Sequence, residues 1–167
     1  MLKYLRPDLY VKSLLRIPLE ELSRRGIRGL IIDLDNTVTE WNRLALDREV
    51  QEWFCRLNNY NLKACLLSNN RQKRVHIIGH CLGIPALSSA GKPRAAAFYR
   101  AMEVLGTRPE ETAVIGDQLF TDVLGGKRLG LYTILAVPLD KREFIGTRFI
   151  RLLERVVLKW LALGKPL

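Results

Sequence analysis

Two aspartates one residue apart, Asp33 and Asp35, stand at the end of the apolar run Leu30-Ile31-Ile32. Asp117 follows a second run, Ala113-Val114-Ile115, with Asp122 five residues further on. Carboxylates gathered at strand ends repel one another unless a cation neutralises them, so the pattern asks for a bound divalent metal. On an extended strand Asp33 and Asp35 would share a face. Where the strand ends, the turning backbone can instead offer one side chain and one main-chain carbonyl to the ion. Oxygen-only ligands favour Mg²⁺ over zinc. Ser68, closing another apolar run, and Lys92, at a loop-to-helix junction, are placed to reach the same edge. His76 and His80 lie four apart, as on one helix face, but no acidic or cysteine neighbour completes a site, and a solvated or half-buried helix face is expected. Cys55, Cys65 and Cys81 form no CxxC pair, which argues against a disulfide framework or a cysteine zinc site.

These residues need a scaffold that brings strand ends together. Short β-branched or leucine-rich runs at 29–34, 62–67, 86–88, 112–116 and 131–137 alternate with amphipathic stretches near 47–59, 70–82, 94–105 and 120–129. Pro93 suits a first helical turn, and Gly106 and Gly130 suit helix ends. Alternating strand and helix predict an α/β fold with a parallel sheet and right-handed crossovers. Apolar runs without alternation fit central strands covered on both faces. Ligands of such sheets bind beyond the carboxyl ends of the strands, where the chain order reverses, and the acidic residues stand at strand ends of this kind. With no internal repeat and no Gly/Ser/Pro linker, residues 1–167 read as one domain. Its core lies at about 25–138, with basic amphipathic segments at 1–24 and 147–163.

DLDNT at 33–37, Ser68 after an apolar strand, Lys92, and GDxxxxD at 116–122 resemble, in order, the four motifs of the haloacid-dehalogenase-like (HAD) hydrolases. The resemblance covers about residues 25 to 138. It implies a Rossmann-like parallel sheet in the order 3-2-1-4-5 with helices on both faces. It also implies that Asp33 is the nucleophile that attacks phosphorus, and that Asp35 protonates the leaving group and then activates water. Ser68 and Lys92 would hold the phosphoryl group, with Thr37 and Asn69 beside them in the substrate site. The cofactor would be Mg²⁺, held by Asp33, the Asp35 carbonyl and Asp117, with Asp122 ligating directly or through water. An aspartate at position 35 resembles the phosphatases and phosphomutases of the superfamily rather than its dehalogenases and ATPases, so phosphomonoester hydrolysis is the implied reaction.

Only 32 residues separate Asp35 from Ser68 and 23 separate Ser68 from Lys92, so no cap domain fits in either gap. An uncapped site resembles the subclass III enzymes, whose substrates are large enough to shield the reacting phosphate from water themselves. Pro7-Asp8, the stretch 13–17, and Gly26-Ile27 leading into DLDNT and Trp41 resemble the YqeG-like, subclass IIIA branch, which includes phosphatidylglycerophosphate phosphatases. That branch implies removal of the terminal phosphate from phosphatidylglycerophosphate.

Charge points the same way. Residues 1–29 carry seven Lys/Arg against three Asp/Glu and residues 141–167 seven against two, while the middle is almost balanced at thirteen against twelve. Basic ends suit an anionic partner, membrane or nucleic acid. Over 148–163, Phe149, Leu152, Leu153, Val156, Val157 and Trp160 recur at helical spacing opposite Arg148, Arg151, Arg155 and Lys159. Such a helix fits a membrane surface, or packs its apolar face on the sheet. Leu5, Leu9, Tyr10, Leu14, Leu15 and Ile17 among N-terminal basic residues favour the membrane. No run approaches the roughly 20 apolar residues of a membrane span, and no continuous apolar core of a signal peptide is present, so the cytoplasm is expected. A nucleic-acid end phosphatase, a protein phosphatase and a non-catalytic scaffold are the alternatives. Basic stripes interleaved with aliphatic residues rather than stacking aromatics disfavour nucleic acid.

Overall fold

The computed structural model describes residues 2–41, 43–70, 72–140, 145–161 and 163–167. In chain order the elements are β1 (Leu9–Val11), α1 (Leu19–Arg24), β2 (Gly29–Ile32), α2 (Arg48–Arg56), β3 (Lys63–Leu67), α3 (Gln72–Leu82), β4 (Ala86–Leu87), α4 (Ala95–Leu105), β5 (Thr112–Gly116), α5 (Leu124–Arg128), β6 (Tyr132–Ala136) and α6 (Ile145–Trp160). A π-helical turn, Leu119–Val123, precedes α5.

All six strands form one parallel sheet in the order β1-β6-β5-β2-β3-β4. The five strands expected from the sequence keep the order 3-2-1-4-5, and the sheet gains a sixth, β1, on the outer side of β6. No cap is inserted. The N-terminal segment therefore differs from the amphipathic membrane arm expected of it. Leu5, Val11, Leu14 and Ile17 are buried, and Leu9 pairs with Ile134 in the sheet. Beyond β1 the backbone of Leu167 exchanges hydrogen bonds with Tyr10 and Lys12, at 3.1 and 2.7 Å.

The pleat sends alternate residues to opposite faces. Leu30, Ile32, Leu66 and Ile115 face the helices α1, α2 and α3. Ile31, Cys65, Leu67 and Val114 face α4, whose Phe98, Ala101 and Met102 are buried against them. Leu135 meets Leu119, Val123 and the Val157, Leu158 and Leu161 side of α6. Helices thus cover both faces. Gly125 and Gly126 let α5 settle tightly: a Cβ on either would lie 2.4 Å from Phe98 or Val114. Pro93 stands just outside its expected helix, which starts at Ala95 with Arg94 as its N-cap, because Lys92 and Pro93 are part of the site's loop. Gly106 ends α4 with φ +68 as expected.

Helix α6 corrects a second expectation. The side turned to the core carries Glu154, Val157, Leu158 and Leu161, while Leu152, Leu153, Val156 and Trp160 are exposed. Packing of Leu153, Val156 and Trp160 on the sheet is therefore excluded. Phe149, Arg148 and Arg151 lie outside the residues whose side chains are described. No described helix is long and apolar enough to cross a membrane.

Candidate active site

The order of strands reverses between β2 and β5, the switch point where an open α/β sheet binds its ligands. The ladder continues one residue past β2: Asp33 N–H donates to Ile115 O at 2.8 Å, which sets Asp33 beside the end of β5 and so beside Asp117. The chain then turns sharply. Asn36 takes φ +60, a conformation asparagine tolerates, and its N–H donates to Thr39 O at 2.8 Å.

Lys92 joins the cluster from the other side. Its ammonium, only 2% exposed, donates to Asp33 Oδ1 and Asp122 Oδ1, both at 2.6 Å. Asn69 fixes the lysine's backbone: Lys92 N–H donates to Asn69 Oδ1 at 2.8 Å, and Asn69 Nδ2 donates to Lys92 O at 3.2 Å. Asn69, expected in the substrate site, thereby ties its side-chain amide to the backbone of Lys92. Ser68 is buried, and its Oγ accepts from Asn70 N–H at 3.1 Å. Thr37 Oγ1 is buried with no hydrogen-bond partner among the described residues, an unusual state for an interior hydroxyl unless a ligand supplies the partner.

Asp122 is held from three directions. Its Oδ2 accepts from Gln118 N–H and Thr121 Oγ, each at 3.3 Å, while Oδ1 takes Lys92. It also lies directly over Gly116, where a Cβ would come within 2.2 Å of Oδ2. Only glycine leaves Asp122 that room. Asp33, Asp117 and Asp122, all buried, each offer an oxygen within 4.8 Å of the others.

Electrostatics follow from this crowding. Burial pushes Asp33 upward, Lys92 draws it back, and Asp122 and Asp35 push again, for a net rise from 3.8 to about 7. Burial disfavours the Lys92 ammonium, but Asp122 and Asp33 outweigh it, so the lysine stays charged. The upward push on Asp33 marks a cluster short of positive charge. A buried all-oxygen donor set of this kind fits a hard divalent cation. His76 and His80 are both exposed on α3 and belong to no such cluster among the described residues.

Asp35 points elsewhere. Its Oδ1 is paired with Arg74 Nη1, and its Oδ2 accepts from Asn70 Nδ2 at 3.3 Å. Arg74 also donates to Glu40 O at 3.0 Å and Arg43 O at 2.9 Å, so one guanidinium ties Asp35 to the loop after DLDNT. The Asp35 carboxylate is thus not among the three carboxylates that cluster, Asp33, Asp117 and Asp122.

Sequence reasoning missed Arg74 and Glu154. Glu154, 3% exposed, accepts from Leu119 N–H at 2.7 Å, at the start of the turn that bears Asp122. It is the sole acid within an otherwise basic α6, a signal legible in the sequence. Removing a buried acceptor costs about 1–3 kcal/mol. Glu154→Ala is therefore expected to lower the thermal midpoint and to shrink the further rise that a divalent cation produces. Glu154→Gln, which keeps an acceptor, should retain most of both. Thermal unfolding titrated with Mg²⁺ reads this out, and an unchanged cation response in the alanine variant would separate Glu154 from the site.

Known proteins bear directly on this geometry. Residues 89–137, which include Lys92, Asp117 and Asp122, match the HAD-hydrolase-like family. The chain is 42% identical to the Probable phosphatase YqeG of Bacillus subtilis over 93% of its own length and 91% of that protein's. The chain belongs to the YqeG-like HAD hydrolases. It is a phosphatase of that superfamily, as the four motifs imply. This HAD phosphatase is also 30% identical, over 98% of its length, to the chloroplastic/mitochondrial phosphatidylglycerophosphate phosphatase 1 of Arabidopsis thaliana, of which it spans 51%. Its fold is shared with the cobalt-bound deoxy-D-mannose-octulosonate 8-phosphate phosphatase of Haemophilus influenzae. There the TM-score is 0.53 at 17% identity, covering 82% of this chain and 90% of that one.

Proposed function

We propose that this HAD phosphatase is a Mg²⁺-dependent phosphatidylglycerophosphate phosphatase working at an anionic membrane surface through a phosphoaspartyl intermediate. The observation that carries the mechanism is the Lys92 ammonium bridging Asp33 and Asp122 at the switch point, with Asp35 two residues beyond the nucleophile. An Asp33 oxygen attacks phosphorus, the P–O bond to the glycerol oxygen breaks, and Asp35 delivers its proton to that oxygen. Water then attacks phosphorus and gives a proton to Asp35, the acyl-phosphate bond breaks, and inorganic phosphate leaves with Asp33 restored. Ser68 and Thr37 donate to phosphoryl oxygens, and Lys92 offsets their charge. Bound Mg²⁺, held by Asp33, Asp117, Asp122 and the Asp35 carbonyl, would neutralise the same oxygens.

A carboxylate gripped by a guanidinium cannot hand over a proton, so the Arg74–Asp35 contact opens as the leaving group arrives. Support for the lipid substrate is the similarity along nearly the whole chain to a phosphatidylglycerophosphate phosphatase, together with an uncapped site. Turnover of phosphatidylglycerophosphate, a phosphopeptide, and 3′- and 5′-phosphorylated oligonucleotides, measured side by side, tests it. The lipid should exceed the others in kcat/KM by at least about tenfold, and a preference for an oligonucleotide would replace the reading. Asp35→Asn should slow phosphatidylglycerophosphate by roughly 10²–10⁴-fold, the usual worth of general acid–base catalysis. It should slow p-nitrophenyl phosphate far less, because that leaving group needs little protonation. Equal losses on both substrates would remove Asp35 as the acid.

A further inference from the structure

We infer that the catalytic edge of the sheet is itself the lipid-docking face, formed by an apolar rim around the site mouth together with the exposed stripe of α6. This rests on the lipid reading of the substrate.

Three exposed apolar side chains, Trp41, Leu44 and Leu139, stand on loops tied to the catalytic segment. Arg74, which holds Asp35, also holds the carbonyls of Glu40 and Arg43, fixing the loop that carries Trp41 and Leu44. Leu139 N–H donates to Asn36 O at 3.0 Å, which places Leu139 beside the DLDNT turn. The rim therefore borders the DLDNT turn, which bears Asp33 and Asp35.

Helix α6 reaches the same edge. Glu154 bonds the turn that follows β5, so the helix passes the carboxyl end of the sheet. On its outer side Val156 and Trp160 are 61% and 66% exposed, next to Leu152 and Leu153. Arg155 and Lys159 are exposed among them, while Arg43 on the rim loop is exposed but paired with Glu40 and Asp47. Apolar side chains set among cations match an anionic bilayer: the rings and leucines enter the headgroup region while Lys and Arg meet phosphates. A second copy of this chain would bring like charge against like. A protein partner seated on the rim would close the mouth to substrate. A bilayer covers the mouth and supplies the substrate in one act, and it excludes water from a site that has no cap.

The test uses the full chain with vesicles of phosphatidylglycerol and phosphatidylcholine, and of phosphatidylcholine alone. Two surface variants are compared, Leu44→Ser/Leu139→Ser on the rim and Leu152→Ser/Val156→Ser on α6. Wild type should sediment with the anionic vesicles and less with the neutral ones. Each variant should lose roughly tenfold in partitioning, since two buried leucine-sized groups are removed from lipid. Turnover of p-nitrophenyl phosphate in solution should stay within about twofold, because neither pair belongs to the site. Wild-type tryptophan emission should be quenched by brominated lipid, and Trp41→Phe should remove part of that quenching. Loss of binding in the α6 variant alone, with the rim variant and Trp41 unaffected, would overturn the proposal. So would failure of wild type to bind, or loss of self-association in place of vesicle binding. Binding that behaves as expected, with no hydrolysis of vesicle-borne phosphatidylglycerophosphate, would uphold the docking face and overturn the lipid substrate instead.

Discussion

Asp33→Asn should abolish turnover on every phosphomonoester while leaving the protein folded, and at neutral pH no less stable than the cation-free wild type. Asparagine keeps the volume and an acceptor for Lys92, but it cannot form the acyl phosphate. The stability claim follows from linkage. In the cation-free protein Asp33 is pushed from 3.8 to about 7, so between those values the folded state holds a proton that the unfolded chain has lost. Stability then falls as pH rises from about 4 to 7, and the penalty is fully present above 7. Asparagine carries no such penalty. Thermal midpoints across pH 4–8 without divalent cation should slope downward in wild type and less in Asp33→Asn. Mg²⁺, by favouring the ionised carboxylate, should raise the wild-type midpoint most at the alkaline end. Residual turnover in Asp33→Asn well above background would rule out the covalent route.

Lys92→Met should cost almost as much activity and far more stability. Methionine fills the space of the lysine stem but leaves Asp33 and Asp122 buried without the ammonium that both contact at 2.6 Å. Stranding part of a buried ionic group typically costs about 3–5 kcal/mol. The loss should be greatest above neutral pH without divalent cation. It should shrink toward pH 5, where Asp33, already pushed upward by burial, takes up a proton, and shrink again when Mg²⁺ is added. Turnover should drop by roughly 10²–10³-fold, the order seen when one donor to a developing oxyanion is removed. Unfolding midpoints and steady-state rates across pH measure both effects. A variant with wild-type stability at pH 8 would mean that Lys92 does not balance the cluster.

The centre of this fold was legible because it is written locally. Leu30-Ile31-Ile32 and Ala113-Val114-Ile115 announce strands buried on both faces, and the acids that follow them announce the edge at which they end. What escaped depends on distant partners. Leu9-Tyr10-Val11 is three residues long, and nothing local marks it as a strand. Its pairing depends on Ile134, Leu135 and Ala136, more than a hundred residues away. Helix α6 has apolar residues on two sides, so periodicity could not choose between the Val157–Leu161 side, which packs, and the Leu152–Trp160 side, which does not. Arg74 reads as one more basic residue at a helix start until the fold brings it to Asp35, 39 positions earlier. The pairing of the Asn69 amide with the backbone of Lys92, 23 positions later, is likewise written in no local pattern.

The backbone pairing of Leu167 with Tyr10 and Lys12 bears on how α6 can be probed. An outer strand with unsatisfied amides is a template onto which another chain can add, and here Leu167 occupies that position alongside β1. Deleting the chain from residue 148 onward would remove more than a lipid-facing helix. It would strip the cover from a strand edge and release a buried Glu154 contact at the same time. A precipitate from such a deletion would report intermolecular strand addition rather than loss of a membrane anchor, so point substitutions on the outer side of α6 are the cleaner instrument.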